Sequence, residues 1–399
     1  MTRTAGRWAW AEIDLDALDH NIRHLGDVAR PAAVWAVVKA DAYGHGAAAV
    51  AEQALRSGAA GLCVALVQEG IELRRAGIDA PILVFSEQPP DQIPEMIATG
   101  LTPTVYSTAA ADAVAEAARS PEGLTCDVHV EIDTGMQRVG APPSQASELM
   151  AHIASLAPAV RAAGVYTHLA CADDPDAAAN AEQLASFDDV LAALDAAGMR
   201  PPLVHAANSA GALAHPRSRF DMVRTGIAIY GISPGPGVDH LARDLRPVMS
   251  LRARVSLVKR VAAGSHVSYG WRHRFERETT VATVPIGYAD GVPRRLGTLP
   301  DRPGADVLIG GRRCPIVGVV TMDQLMVDIG DDIDARRVAV GDEVVLIGSQ
   351  GAHTIRAEDW AARLGTIGYE IVCAIGTRVP RVLRSGSDTR LHERPYAGP

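Results

Sequence analysis

The 399-residue sequence predicts an α/β fold: a (β/α)8 TIM-type barrel followed by a mainly β C-terminal domain. Over residues 15–224, short β-rich runs alternate with Ala/Leu-rich stretches of helical spacing, which is how a parallel sheet is written. Eight such runs over about 210 residues suit a closed barrel better than an open sheet. The segment SPGPGVDHLARDLRP (233–247) then breaks the alternation with Pro and Gly and reads as a connector. Beyond it, β-branched runs punctuated by Gly, Pro and Asp carry almost no helical spacing.

The first run, 8–14, is a strand that either caps the barrel or is lent to the other domain. The barrel strands follow at 34–39, 61–66, 81–85, 101–106, 126–132, 165–169, 203–206 and 221–224, with helices such as 15–30 and 180–197 between them. These assign residues 1–244 to the barrel domain. Runs at 248–261, 279–285, 306–309, 314–319, 324–329 and 343–347 assign 245–385 to the β domain, and the polar segment 386–399 reads as a loosely held tail.

Composition narrows the function. Hydrophobic residues at 48% and charged residues at 21% are ordinary for a globular protein, and a net charge of −9 argues against sequence-independent nucleic-acid binding. The N-terminal segment carries Glu12, Asp14, Asp16 and Asp19 with no apolar run of signal-peptide type, and no stretch is long enough to span a membrane. The expectation is a cytoplasmic protein. Its five cysteines, Cys63, Cys126, Cys171, Cys314 and Cys373, are scattered and form no CxxC pair, so they are read as reduced packing residues with no metal site. Lysine occurs only at Lys39 and Lys259, and every other basic residue is arginine. An ε-amine can become a nucleophile where a guanidinium cannot, so Lys39, at the end of an apolar run, invites a chemical explanation.

Other polar outliers share its placement. Arg138 follows the run 126–132, His168 ends 165–169, Asn208 and Ser209 follow 203–206, and Arg224 ends the last strand. All fall at carboxyl ends of strands, the face on which barrel enzymes assemble their sites. Each also has an ordinary role open to it, as helix cap, surface charge or snorkelling chain. Asn208-Ser209 and the Arg-Thr-Gly turn at 224–226 offer hydroxyl and backbone N–H donors suited to a phosphate, while no GxGxxG or Walker sequence points to a nucleotide. A strand-end lysine with a phosphate site suggests pyridoxal 5'-phosphate.

The string AVVKADAYGHG (36–46) resembles the cofactor-lysine signature of the alanine racemases. The resemblance continues through WAEIDLDAL (10–18), DTGMQRVG (133–140), HAANSAG (205–211), VRTGIAIYG (223–231), VSYGW (267–271), IGYADG (286–291), TMDQ (321–324) and GYE (368–370). It implies a homodimeric PLP enzyme that interconverts L- and D-alanine and supplies D-alanine for peptidoglycan precursors. By the same resemblance, Lys39 carries the cofactor and acts as base on one face of the substrate α-carbon, and Tyr269, reaching in from the partner subunit, acts on the other. Inverting a stereocentre needs two such bases. Arg224 corresponds to the arginine facing the cofactor's pyridine nitrogen and His168 to a histidine beside the ring. Tyr43, Ser209, Gly226, Ile227 and Tyr369 correspond to positions around the phosphate, with Asn208 in the same motif. Arg138 corresponds to the substrate-carboxylate arginine, Met322 and Asp323 to a partner-subunit segment lining the pocket, and His205 and Tyr288 to the supporting network. Glu131 departs from the pattern: many members carry a carbamylated lysine there, whose carbamate orients the carboxylate-binding arginine, and Glu131 offers Arg138 a built-in carboxylate instead.

Neighbouring readings differ in chemistry. A racemase of serine or of a broader range of amino acids would share every handle except pocket size. A decarboxylase of the same barrel class is disfavoured by the TMDQ and VSYGW strings, and a non-catalytic PLP-binding protein by the presence of the β domain with Tyr269.

Overall fold

The structure, a computed structural model, describes residues 6–119, 125–299, 302–332, 334, 337–386 and 388–392. It divides into two units: one holds residues 18–42 and 46–246, the other the described residues up to 17, residues 43–45 and those from 247 onward.

The first unit is built on eight parallel strands: β1 (Ala33–Val37), β2 (Gly61–Val64), β3 (Ile82–Val84), β4 (Thr102–Val105), β5 (Cys126–Glu131), β6 (Val160–Tyr166), β7 (Leu203–His205) and β8 (Met222–Thr225). Neighbours in sequence are neighbours in space from β1 to β7, and β8 returns to β1 with Trp35 opposite Arg224. The remaining gap is closed by the Asp221 N–H donating to Val204 O at 3.0 Å and the Arg224 N–H to Ala207 O at 2.9 Å. Parallel strands need a crossover between each pair, which explains the helix after nearly every strand. β2 and β3 are buried along their whole length, so they read as continuous apolar runs rather than alternating ones.

β6 starts five residues before the expected 165. Its Val-Arg-Ala-Ala-Gly opening has weak strand propensity and resembles the end of a helix, but Val160 pairs opposite Cys126 and the ladder overrides that preference. Gly164 serves packing here: a Cβ at that position would lie 2.5 Å from His129 Nδ1, so the missing side chain makes room for a ring inside the barrel.

The second unit is an eleven-stranded sheet. Its path runs Leu257–Val261, Thr279–Val284, Leu325–Gly330, Arg312–Val317, Asp306–Ile309, Glu343–Gln350, Met249–Arg254, Ala9–Asp14, Arg381–Ser385 and Asp388–His392, with His353–Ile355 branching from Glu343–Gln350. The strand Ala9–Asp14 is therefore interior to the β sheet, antiparallel to Met249–Arg254 and parallel to Arg381–Ser385. That corrects the assignment of residues 1–244 to the barrel: its N–H and C=O groups find ladder partners on both sides in the second unit. The tail at 386–399 is corrected in part as well. Residues Asp388–His392 pair antiparallel with Arg381–Ser385 and cover what would otherwise be an open edge, while 393–399 lie outside the described residues.

A separate two-stranded hairpin, His266–Val267 with His273–Arg274, projects the turn Tyr269–Trp271. Among the described residues no helix is long and apolar enough to cross a membrane and no cluster suits a metal ion. Burial pushes the Cys63 thiol up to about 12, which makes it a packing group rather than a nucleophile.

Candidate active site

Lys39 follows β1 and begins a turn with an uncommon backbone. Ala40, Asp41, Ala42 and Tyr43 have φ of 51, 55, 54 and 53°, four consecutive L-residues in the left-handed region. At about 1 kcal/mol or more for each, such a run persists only where its surroundings hold it. The holding bonds are Ala42 N–H to Val38 O at 2.8 Å, Gly46 N–H to Asp41 O at 2.9 Å, Ala47 N–H to the Asp41 carboxylate at 2.7 Å, and Ala40 N–H to the Glu69 carboxylate at 2.6 Å.

Arg224 organises the barrel end. It is 3% exposed, and its Nη1 donates to His205 Nδ1 at 2.6 Å while Nη2 donates to Thr167 O, Ala206 O and His168 Nδ1 at 3.0, 3.1 and 3.3 Å. A guanidinium has no acceptor, so His205 must accept at Nδ1 and carry its proton on Nε2. That proton is donated to His129 Nδ1 at 2.9 Å, which in turn places the His129 proton on Nε2. Burial first, and the Arg224 charge second, push His129 down to about 4, His168 down to about 3 and His205 well below the usual imidazole range. All three rings are therefore neutral near pH 7. Lys39 and Arg138 also depress His168, so their charges act at the same spot. Arg224 Nε makes no hydrogen bond among the described residues.

Glu131, Tyr166 and His205 lie level on β5, β6 and β7, paired across the sheet. The Tyr166 hydroxyl donates to Glu131 at 2.9 Å, its ring stacks on His205 with centroids 4.5 Å apart, and the Arg224 guanidinium lies 4.9 Å from its ring centroid. Burial raises the Glu131 carboxyl above its usual value, opposed by the Tyr166 hydrogen bond and by the Arg224 and Arg138 charges. The direct partner of Glu131 is thus Tyr166, and the exposed Arg138 reaches it through charge.

Asn208 and Ser209 divide two tasks. The Asn208 side chain caps the helix Ser209–Ala214 by accepting from Gly211 N–H at 2.9 Å. Ser209 Oγ instead accepts from the N–H groups of Gly226 and Ala228, at 2.9 and 3.3 Å, leaving its own hydrogen to be donated. Ile227 lies between those two donors in sequence and is fully buried.

In the β unit, Tyr43 and Tyr369 have ring centroids 6.1 Å apart. Tyr269 stands at the hairpin tip, 70% exposed, beside Trp271 at 71%. The tip is anchored by Ser268 Oγ donating to Val319 O at 2.6 Å and by Val267 packing on Phe275, Val281 and Val317. Met322 is 51% exposed on a loop locked to the turn bearing Tyr288: the N–H groups of Tyr288 and Ala289 donate to Thr321 O and Met322 O, both at 3.0 Å. A Cβ on Gly287 would lie 2.2 Å from Thr321 O, so glycine is required for that approach. Arg378 then bridges Asp323, at 2.7 Å, to the fully buried Asp290, which Arg7 also holds at 2.6 Å.

Sequence reasoning passed over Tyr166, His129, Thr167 and Glu69. A signal existed for the rings: with period 2 in a strand, His129 shares a face with Glu131, and Tyr166 with His168.

Comparison with known proteins agrees in both units. The family model described as "Alanine racemase, N-terminal domain" matches residues 13–234, and "Alanine racemase, C-terminal domain" matches residues 248–383. The chain belongs to the alanine racemase family. A curated alanine racemase of Symbiobacterium thermophilum is 47% identical over 375 residues, covering 94% of this chain and 97% of its own. The solved alanine racemase of Streptomyces lavendulae, a D-cycloserine producer, superposes with a TM-score of 0.88 at 41% identity over 96% of this chain and 98% of that one. That of Bacillus anthracis, solved with bound L-Ala-P, gives 0.88 at 37% identity over 97% of each chain. Membership makes the protein an isomerase, and its barrel with an appended β domain is the family's fold.

Proposed function

We propose that this protein interconverts L- and D-alanine with PLP as cofactor, two bases acting on opposite faces of the α-carbon, in the cytoplasm, where the product serves peptidoglycan precursors. The observation that carries this reading is the convergence of Lys39, His168 and Arg224 at one barrel end, with the Ser209 hydroxyl on a neighbouring strand end held by the N–H groups of Gly226 and Ala228 so that its own hydrogen is left to be donated. The donors suit the cofactor: a phosphate calls for hydroxyl and N–H groups, and a neutral pyridine nitrogen can accept from the unused Arg224 Nε–H. When bound, PLP supplies a ring that withdraws electrons from the substrate's Cα–H bond. Lys39, Tyr43, His168, Asn208, Ser209, Arg224, Gly226, Ile227 and Tyr369 would hold it.

The chain's own groups do the rest. Arg224 stays protonated and keeps the ring nitrogen from gaining a proton, which limits charge delocalisation and with it side reactions. Arg138 binds the substrate carboxylate and orients the Cα–H bond. Lys39 Nζ takes or returns the proton on one face and Tyr269 Oη on the other, so each direction of the reaction uses the same pair in opposite roles. The exposure of Tyr269, Trp271 and Met322 supports a homodimer in which Tyr269, Met322 and Asp323 complete the partner's site, with Glu131, His205 and Tyr288 supporting.

Proton NMR of L-alanine in heavy water with the PLP-loaded protein, followed by chiral analysis, tests the reading. Deuterium at Cα together with D-alanine is the expected result. Turnover of L-serine faster than alanine would move the substrate, and no exchange with either would remove the racemase reading.

A further inference from the structure

Glu69 lies in the helix Val67–Arg75 and, as the third residue of that helix, would ordinarily do no more than accept from the N-cap N–H. It does that with Oε2, which receives Leu66 N–H at 3.1 Å and Ala65 N–H at 2.8 Å. Its other oxygen reaches across to a different strand end and accepts from Ala40 N–H at 2.6 Å. The regular ladder between β1 and β2 ends with Val38 N–H donating to Cys63 O at 2.9 Å, so Ala40 is just past the last residue the sheet itself can position. The peptide plane that carries the Ala40 N–H is set by ψ of Lys39. Anchoring that N–H therefore fixes how the chain leaves Lys39 and in which direction the lysine side chain is presented. It also fixes the first peptide of the left-handed run Ala40–Tyr43.

We propose that Glu69 is a positioning residue for Lys39, a carboxylate strap that ties the peptide after the cofactor lysine to the end of β2. The proposal rests on the reading of Lys39 as the lysine that carries PLP. Both oxygens of the strap accept, so glutamine cannot replace it: its NH2 would face a backbone donor at one end or the other. Aspartate keeps the charge at the helix start but is one methylene too short to span both strand ends.

A helix cap alone would use Glu69 too, so the test separates the two roles. In Glu69→Ala the cap is lost with the strap; adding Leu66→Asp at the half-exposed N-cap restores a capping carboxylate that cannot serve Ala40. The double variant, purified and titrated with PLP, is read by the visible band of the lysine-linked cofactor, by borohydride trapping with mass spectrometry at Lys39, and by thermal melting. The expected result is a Tm restored to near wild type, PLP affinity about tenfold or more weaker, and kcat lower by a similar factor with KM for alanine changed less than about twofold. PLP affinity and kcat that recover along with Tm would make Glu69 a helix cap and overturn the proposal. If wild type forms no Lys39 adduct while binding PLP, the reading of Lys39 falls and the proposal with it, an outcome distinct from a normal wild-type adduct that Glu69 does not influence.

Discussion

Glu131 is a 4% exposed carboxylate whose nearest hydrogen-bond donor is the Tyr166 hydroxyl and whose charge is felt by both Arg224 and Arg138. The family resemblance implies a carbamylated lysine at this position in many members, and a glutamate there brings its own carboxyl group without carbon dioxide. Glu131→Gln keeps an acceptor for Tyr166 and nearly the same shape, so the buried hydroxyl stays paired and only the charge is lost. We expect KM for alanine to rise about tenfold with a smaller change in kcat, and added bicarbonate to leave both proteins unaffected. Steady-state kinetics decide it: an unchanged KM would take Glu131 out of substrate handling. Glu131 and Arg224 were legible because a charge closing a β-branched run stands out against its neighbours. Tyr166 and His129 were not, because inside such a run a ring reads as core, and only the alternation from Glu131 and His168 marks them as facing the same interior.

At the scale of elements, the strand Ala9–Asp14 shows what a local pattern omits. Its AWAEID alternation announces a strand with one face more buried than the other, yet nothing within six residues says which sheet receives it. The answer lies more than 200 residues away, in the backbone groups of Met249–Arg254 and Arg381–Ser385. The barrel strands were easier, since each pairs with the next in sequence and the alternation with helices dictates the order. The interior position has a measurable consequence. Ala11 is fully buried and its N–H donates to Pro380 O at 2.9 Å, so Ala11→Pro removes a ladder bond in the middle of the sheet, where proline has no edge to occupy. The loss should reach about 3 kcal/mol or more. A fall in Tm on the order of 10 °C by calorimetry is expected, and a shift under about 2 °C would show that the strand contributes little to the sheet.

At the scale of the whole molecule, the sequence speaks of one chain and the proposed chemistry needs two. Periodicity foretold a barrel and a β domain, but subunit arrangement has no period, and only the resemblance suggested it. The exposed hairpin tip gives that suggestion a physical basis: Tyr269 and Trp271 are each about 70% exposed on a turn that Ser268 and Val267 hold in shape, so the protein spends structure on presenting aromatic rings outward. If Tyr269 serves the partner's Lys39, the two bases can be separated onto different chains. Lys39→Ala and Tyr269→Ala should each be inactive alone. Mixed in equal amounts and allowed to exchange subunits, half the dimers become hybrids, and each hybrid has one site with both bases intact and one with neither. Activity should therefore return to about a quarter of the wild-type value, a recovery that only an isologous arrangement with shared sites can give. Exchange is verified by differently tagged chains that co-purify, and no recovery in a mixture shown to contain hybrids would place both bases on one chain.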